Sequence, residues 1–161
     1  MYYRGEGVEQ SYEKALEYFK AAAEQGNGTA AYSAGYAYEK GEGVEPSYEK
    51  ALEYYQKAVD LGEPEGLNAI GDMYENGRGV EQDYGKAMEY YQRAVEEGCD
   101  FALISIGSMY EQGHGVDQSM EKALEYYLKA MDKELSEASE ELDRLVKEGK
   151  ITEDYRLIPA E

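Results

Sequence analysis

The sequence predicts an all-α fold: a stack of about four 36-residue helix-turn-helix repeats, closed by a C-terminal capping helix. Three observations predict it. A large set of residues recurs every 36 positions without an insertion. Inside each interval, two segments carry apolar residues at the i, i+3, i+4 spacing of one helix face. Glycines separate those segments at the same places in every copy.

The period is plain along the chain. Tyr2, Tyr38, Tyr74 and Tyr110 keep it, as do Gly5, Gly41, Gly77 and Gly113, and Val8, Val44, Val80 and Val116. Lys14, Lys50, Lys86 and Lys122 follow, then Ala15, Ala51, Ala87 and Ala123, then Tyr18, Tyr54, Tyr90 and Tyr126. So strict a register implies one structural unit used repeatedly.

Residues 41 to 76 show how one unit is built. Ser47 is a good N-cap, because its hydroxyl accepts from a free N–H of the first helical turn. Ala51, Leu52, Tyr55, Ala58 and Val59 then form one apolar face, and Gly62 suits the left-handed residue that ends a helix. This is the B-type helix. Pro64 stands near the start of the next helix, where its missing N–H costs nothing. Leu67, Ile70, Gly71 and Tyr74 follow at helical spacing and define the A-type helix. A Gly-x-Gly-Val link then leads onward: the first Gly ends the helix, the second allows a tight turn, and the Val returns to the core. Gly35, Gly71 and Gly107 lie mid-helix, where Gly costs about 1 kcal/mol relative to Ala. Its repetition predicts close helix-to-helix approach.

The approximate units are 1–28 (partial), 29–64, 65–100, 101–135 and the cap 136–150, with a tail at 151–161. Residues 1–150 form a single solenoid domain in this reading. Met1 aligns with Met73 and Met109, so the chain opens on the stub of an A helix. Solenoids carry polar end caps. The expectation is therefore a fragment, or a chain whose open end a partner or a second copy covers. At the other end Glu134, Asp143 and Val146 replace the helix-ending Gly, the mid-helix Gly and the Tyr. Ala138, Leu142, Leu145 and Val146 share one face, as a capping helix requires. The tail either folds back through Ile151, Tyr155 and Leu157 or stays loose.

The motifs IGDMYENGRGV with KAMEYYQRAV, and IGSMYEQGHGV with KALEYYLKAM, resemble the Sel-one-like repeat (SLR) family, a relative of the tetratricopeptide repeats. The resemblance spans almost the whole chain. It implies a right-handed α/α superhelix with the A helices on its concave side. It also implies an adaptor or scaffold, as family members mostly are, many of them bacterial.

Charge and composition exclude several classes. Thirty-five Asp and Glu stand against sixteen Lys and Arg, a net charge of -19. Such a surface repels phosphate backbones and anionic lipid, so no nucleic acid is expected as partner. No apolar run approaches bilayer length, so no membrane insertion is expected, and no signal peptide is read. The compartment is left unassigned. The single cysteine, Cys99, excludes an internal disulfide framework. No cofactor or metal is expected: no His/Cys cluster has zinc spacing, and no calcium-loop pattern appears.

Catalytic signals are weak. Ser11, Ser47 and Ser119 each open an S-x-x-K, the nucleophile motif of serine β-lactamases and penicillin-binding proteins. Some cysteine-rich members of the resembled family are reported to bind penicillin. The companion S-D-N and K-T-G motifs are missing, and Asp83 replaces the serine in another copy. Repeated N-caps explain the pattern better than a unique nucleophile. His114 stands at a variable link position, and Cys99 has no partner histidine in a nucleophile pattern. The chain is therefore read as no enzyme.

Function is expected where repeats differ, because shared positions already have a packing reason. The A-helix core set is 30, 31, 34, 35, 37 and 38 with their equivalents. The opposite face varies: Tyr32, Ser33 and Tyr36, then Asn68, Ala69 and Asp72, then Phe101, Ile104, Ser105 and Ser108. Glu39, Glu75 and Glu111 recur at its edge. Aromatic anchors with an acidic rim suit a protein or peptide bearing Lys or Arg. The candidate partner-binding residues are Tyr32, Tyr36, Asn68, Asp72, Glu75, Phe101, Ile104, Ser108 and Glu111. The function read from this is a protein-protein interaction scaffold using the concave A-helix face. The alternatives are an enzyme or enzyme-associated domain in cell-wall chemistry, and a solenoid fragment that forms a homo-oligomer through its uncapped N-terminal end.

Overall fold

The computed structural model describes residues 11–158 of the 161. The expected helix stub at the N-terminus, and any association through it, lie outside the described residues. Eight α-helices follow one another among the described residues: α1 (Tyr12–Glu24), α2 (Gly28–Lys40), α3 (Tyr48–Asp60), α4 (Glu65–Asn76), α5 (Tyr84–Glu96), α6 (Ala102–Gln112), α7 (Met120–Asp132) and α8 (Ser136–Lys147). Odd-numbered helices are the B type; even-numbered ones through α6 are the A type, and α8 is the cap. The chain divides into two compact units, residues 1–90 and 91–161.

The repeat chemistry explains why the helices begin and end where they do. Ser11, Ser47 and Ser119 cap α1, α3 and α7, accepting from the N–H of Lys14, Lys50 and Lys122 at 3.3, 3.3 and 3.2 Å. Asp83 does the same for Lys86 at 3.0 Å. Each S-x-x-K serine thus spends its oxygen on a helix cap. Helices α2, α4 and α6 end at Gly41, Gly77 and Gly113, all left-handed with φ between 64° and 74°. Leu61 caps the end of α3, and Gly62 takes the left-handed turn directly after it, at φ 81°, as the sequence predicts. The second link glycine has a tertiary reason as well. A Cβ on Gly43 would lie 2.6 Å from the Tyr12 carbonyl oxygen, and one on Gly79 would lie 2.6 Å from Tyr48 Cβ. The link is pressed against the first turn of an earlier B helix.

In the first unit, α2 packs on α1 and α3, and α3 on α4. Leu16, Ala34, Ala37, Tyr38, Ala51, Tyr55, Ile70 and Met73 form its main buried cluster, with Val44 and Val80 of the links packed against it. A second cluster joins Ala23, Ala31 and Ala58. The buried set of α2 is Ala30, Ala31, Ala34, Gly35, Ala37 and Tyr38, as the sequence predicts. Gly35 faces Tyr55, whose Cδ1 would be 2.6 Å from an added Cβ.

In the second unit, α6 packs on α7 and α7 on α8. Ala123, Leu124, Tyr127, Leu142, Leu145 and Ile151 form one cluster, and Leu103, Ala130 and Ala138 another. Gly107 faces Tyr127 as Gly35 faces Tyr55, with Cε1 2.7 Å from an added Cβ. At the equivalent place in α8, Asp143 is exposed. Of the two tail alternatives, folding back is observed. Ile151 is buried and bridges to Leu157, Thr152 N–H donates to the Arg156 carbonyl at 2.8 Å, and Tyr155 packs on the core. Leu157 itself is exposed. Among the described residues, no helix is long and apolar enough to cross a membrane.

Candidate functional site

The varying face of α2 carries the candidate site of the first unit. Helical periodicity sends Ala30, Ala31, Ala34 and Ala37 inward and leaves Tyr32, Ser33 and Tyr36 half-buried on the other side. With Phe19 of α1 they line an open cleft of about 270 Å³. The Tyr32 ring tilts against Tyr55 with centroids 5.5 Å apart. The Ser33 hydroxyl donates to the Thr29 carbonyl at 2.9 Å. One turn beyond Tyr36, the Lys40 ammonium sits 5.5 Å from the Tyr36 ring centroid.

A charge cluster continues from Lys40. Its ammonium donates to Glu39 Oε1 at 2.7 Å, and Arg78 Nη1 donates to the same oxygen at 3.1 Å. Glu39 Oε2 accepts from the buried Tyr55 hydroxyl at 2.8 Å. Arg78 Nη1 also reaches Asp72 Oδ2 at 2.7 Å, and Asn76 donates to Asp72 Oδ1 at 2.8 Å. Burial pushes the Glu39 carboxyl up, but the hydrogen bonds from Lys40 and Tyr55 and the charges of Lys40 and Arg78 outweigh it and hold it below the usual range. Burial raises the Asp72 carboxyl, with Arg78 opposing. Asn68 and Glu75 are half-buried on α4.

In the second unit the candidates separate into different roles. Phe101 caps α6 and is exposed. Ile104 is half-buried and packs against both apolar clusters. Ser108 accepts from Gln112 at 2.7 Å. Glu111 is buried and fully engaged. It accepts from the Tyr127 hydroxyl at 3.0 Å, from Arg144 Nη2 at 2.6 Å and Nη1 at 3.1 Å, and from Lys150 at 3.0 Å. Burial raises its pKa, but the bonds from Arg144, Lys150 and Tyr127 dominate and hold it down at about 2.

The acidic rim expected from Glu39 and Glu111 is therefore not where the sequence put it. Their side chains are 8% and 10% exposed, and each points inward at a buried tyrosine sixteen residues on. In the charge cluster that Lys40 joins to the cleft, the more exposed side chains are Lys40 (44%), Arg78 (34%) and Asp72 (41%). Arg78 and Lys150 share one register position of the link, and each donates to the glutamate 39 residues earlier. His114 stands at the same register position and is half-buried. Cys99, placed in a loop by its sequence neighbours, is buried at 1% exposure, its N–H donating to the Ala94 carbonyl.

Comparison with known proteins follows the same architecture. A family model described as the Sel1 repeat matches residues 1–27, 28–63, 64–99 and 101–134. A Sel1 repeat protein from Oxalobacter formigenes is 30% identical over 93% of this chain, with a TM-score of 0.80. A protective antigen of uropathogenic Escherichia coli strains displaying an SLR fold is 30% identical over 92%, with a TM-score of 0.76. This chain spans 61% and 32% of those two proteins. Cysteine rich protein B of Helicobacter pylori is 26% identical over 86% of this chain, which covers 99% of it, with a TM-score of 0.60. Among curated protein sequences there is no significant match.

Proposed function

The chain belongs to the Sel1 repeat family, and from that premise we propose that it holds a protein partner on the varying face of its A helices, without catalysis of its own. Repeats of this family are commonly protein-interaction scaffolds. The observation that carries the reading is the cleft lined by Phe19, Tyr32, Ser33 and Tyr36. Three aromatic side chains around one concavity supply large apolar area at low entropic cost, which is what binding hot spots use. Tyr36 belongs to neither of the apolar clusters described for the first unit, so its ring is not needed to hold them.

Affinity capture with mass spectrometry supplies the partner, and a titration of that partner against wild type and Tyr36→Ala tests the face. The expected loss is about tenfold or more, the cost of a hot-spot truncation, with the helical melt nearly unchanged. Unaltered affinity in Tyr36→Ala removes α2 from the interface.

A further inference from the structure

We propose that a groove on the B-helix side of the first unit takes a basic segment of a protein partner, its arginine side chains meeting Glu53, Asp60 and the Tyr90 ring. This is a second surface, independent of the A-helix cleft.

The groove is open and holds about 500 Å³. Half-buried Leu52, Tyr74 and Tyr90 form its floor and pack on the core of the unit. Exposed Glu53 and Asp60 of α3 stand at its edge. The Tyr74 ring is already occupied. It stacks with Tyr90 at 5.6 Å, and the Lys86 ammonium lies 5.0 Å from its centroid.

The other repeats show what these positions hold. Glu24 is the counterpart of Asp60 one copy earlier, and it accepts from Lys57 at 2.5 Å. Glu125 is the counterpart of Glu53 two copies later, and it accepts from Lys129 at 2.7 Å. Tyr126 is the counterpart of Tyr90 and stacks on Tyr110 as Tyr90 stacks on Tyr74. The same Lys129 ammonium lies 4.9 Å from the Tyr126 ring centroid. Both carboxylate positions and the ring thus take a cation in another copy. In this groove none of the three does, among the described residues. Lys57 is the one cation among the lining residues, and it is bonded to Glu24 instead. Gln56 replaces Lys20 of the earlier copy and gives Asp60 only a neutral amide, at 2.9 Å. Glu53 has no ion pair, and no cation lies over the Tyr90 ring.

Water satisfies an exposed carboxylate, so Glu53 and Asp60 by themselves select nothing. The half-buried ring beside them does the selecting. A guanidinium lays its flat face on an aromatic ring while its edge donates to a carboxylate, and the tyrosine gains from a cation what it does not gain from water. Glu53 and Asp60 stand two turns of α3 apart, about 10 Å along the axis. An extended segment rises about 3.3 Å per residue, so arginines three residues apart match that separation. The net charge of -19 draws a basic segment toward the molecule, and the groove decides where it settles.

The test titrates Ac-Arg-Ala-Ala-Arg-NH2 and its Gln counterpart into the isotope-labelled full chain at physiological salt, followed by NMR. The Arg peptide is expected to shift the Glu53, Asp60 and Tyr90 amides and to bind about tenfold tighter than the Gln peptide. Glu53→Gln combined with Asp60→Asn should cut its affinity about tenfold. Asp132→Asn combined with Glu140→Gln removes the same charge from the second unit and should change affinity by less than about twofold, because salt screens distant charges. All four side chains are exposed, so neither double variant threatens the fold, and matching melts by circular dichroism check this. Equal losses in the two double variants, or shifts spread over the acidic surface without a focus at the groove, mean unspecific attraction and overturn the proposal. So does the absence of any shift at the Glu53, Asp60 and Tyr90 amides at millimolar peptide.

Discussion

Replacing Glu111 by Gln tests whether one inward carboxylate ties the cap to the rest of its unit. The carboxylate joins α6 to α7 through Tyr127, to α8 through Arg144 and to the tail through Lys150. Its pKa falls from an ordinary 4.5 to about 2 in the fold. At 1.36 kcal/mol per unit, that is on the order of 3 kcal/mol of stabilisation of the charged form. Gln keeps one acceptor for Tyr127 or Arg144. Arg144 keeps Glu141 and Glu148, and Lys150 keeps Glu148. The expected loss at pH 7 is therefore about 2–3 kcal/mol. The pH dependence has a definite sign. A depressed carboxylate contributes stability that is present above pH 4.5 and lost as pH falls toward 2. Many other acids titrate in that window, so the difference between wild type and Glu111→Gln is the useful quantity. Urea unfolding by circular dichroism at pH 7, 4.5, 3 and 2 measures it, and hydrogen exchange of α6–α8 localises it. A difference below about 0.5 kcal/mol at pH 7, or one that does not shrink toward pH 2, refutes the clasp.

Three further substitutions separate local from tertiary causes. Gly107→Ala should destabilise by about 1–3 kcal/mol in urea unfolding despite the better helix propensity of Ala, because the new Cβ would meet Tyr127 at 2.7 Å. Glu134→Gly should stabilise by about 0.5–1 kcal/mol, since Glu134 is held at φ 61°, where L side chains are strained; a lower urea midpoint would contradict this. Ile104→Ala should lower the melt by an amount equivalent to about 2 kcal/mol or more, because Ile104 packs on both clusters of its unit; an unchanged melt would return it to the list of pure surface anchors.

Much of the fold was legible because its causes are local and repeated. Ser47, Ser119 and Asp83 cap helices for reasons contained within four residues. The Gly that ends each A helix needs only its own backbone conformation. The inward set of α2 follows from the helical period, which no tertiary contact alters. The candidate site was less legible. Tyr32 and Tyr36 do line a cleft, yet Phe19, its third aromatic, comes from a B helix, outside the A-helix face that carries the sequence candidates. Ile104 and Phe101 look equivalent in sequence, but one packs inward and the other is exposed.

The glutamates mark the boundary most clearly. Their strict recurrence at 39 and 111, with tyrosines at 55 and 127 on the same period, was a signal of internal pairing available in the sequence. It was read as a charged edge because a carboxylate at a helix end is usually solvated. Near neighbours and a period are enough to set the repeat, the helix limits and the shared inward positions, so these are legible along the chain. Where the charges point follows instead from how separate helices pack. Arg78 and Lys150 reach glutamates 39 residues away across packed helices. A pairing between separate elements depends on their approach in space, and no spacing along the chain reports that distance.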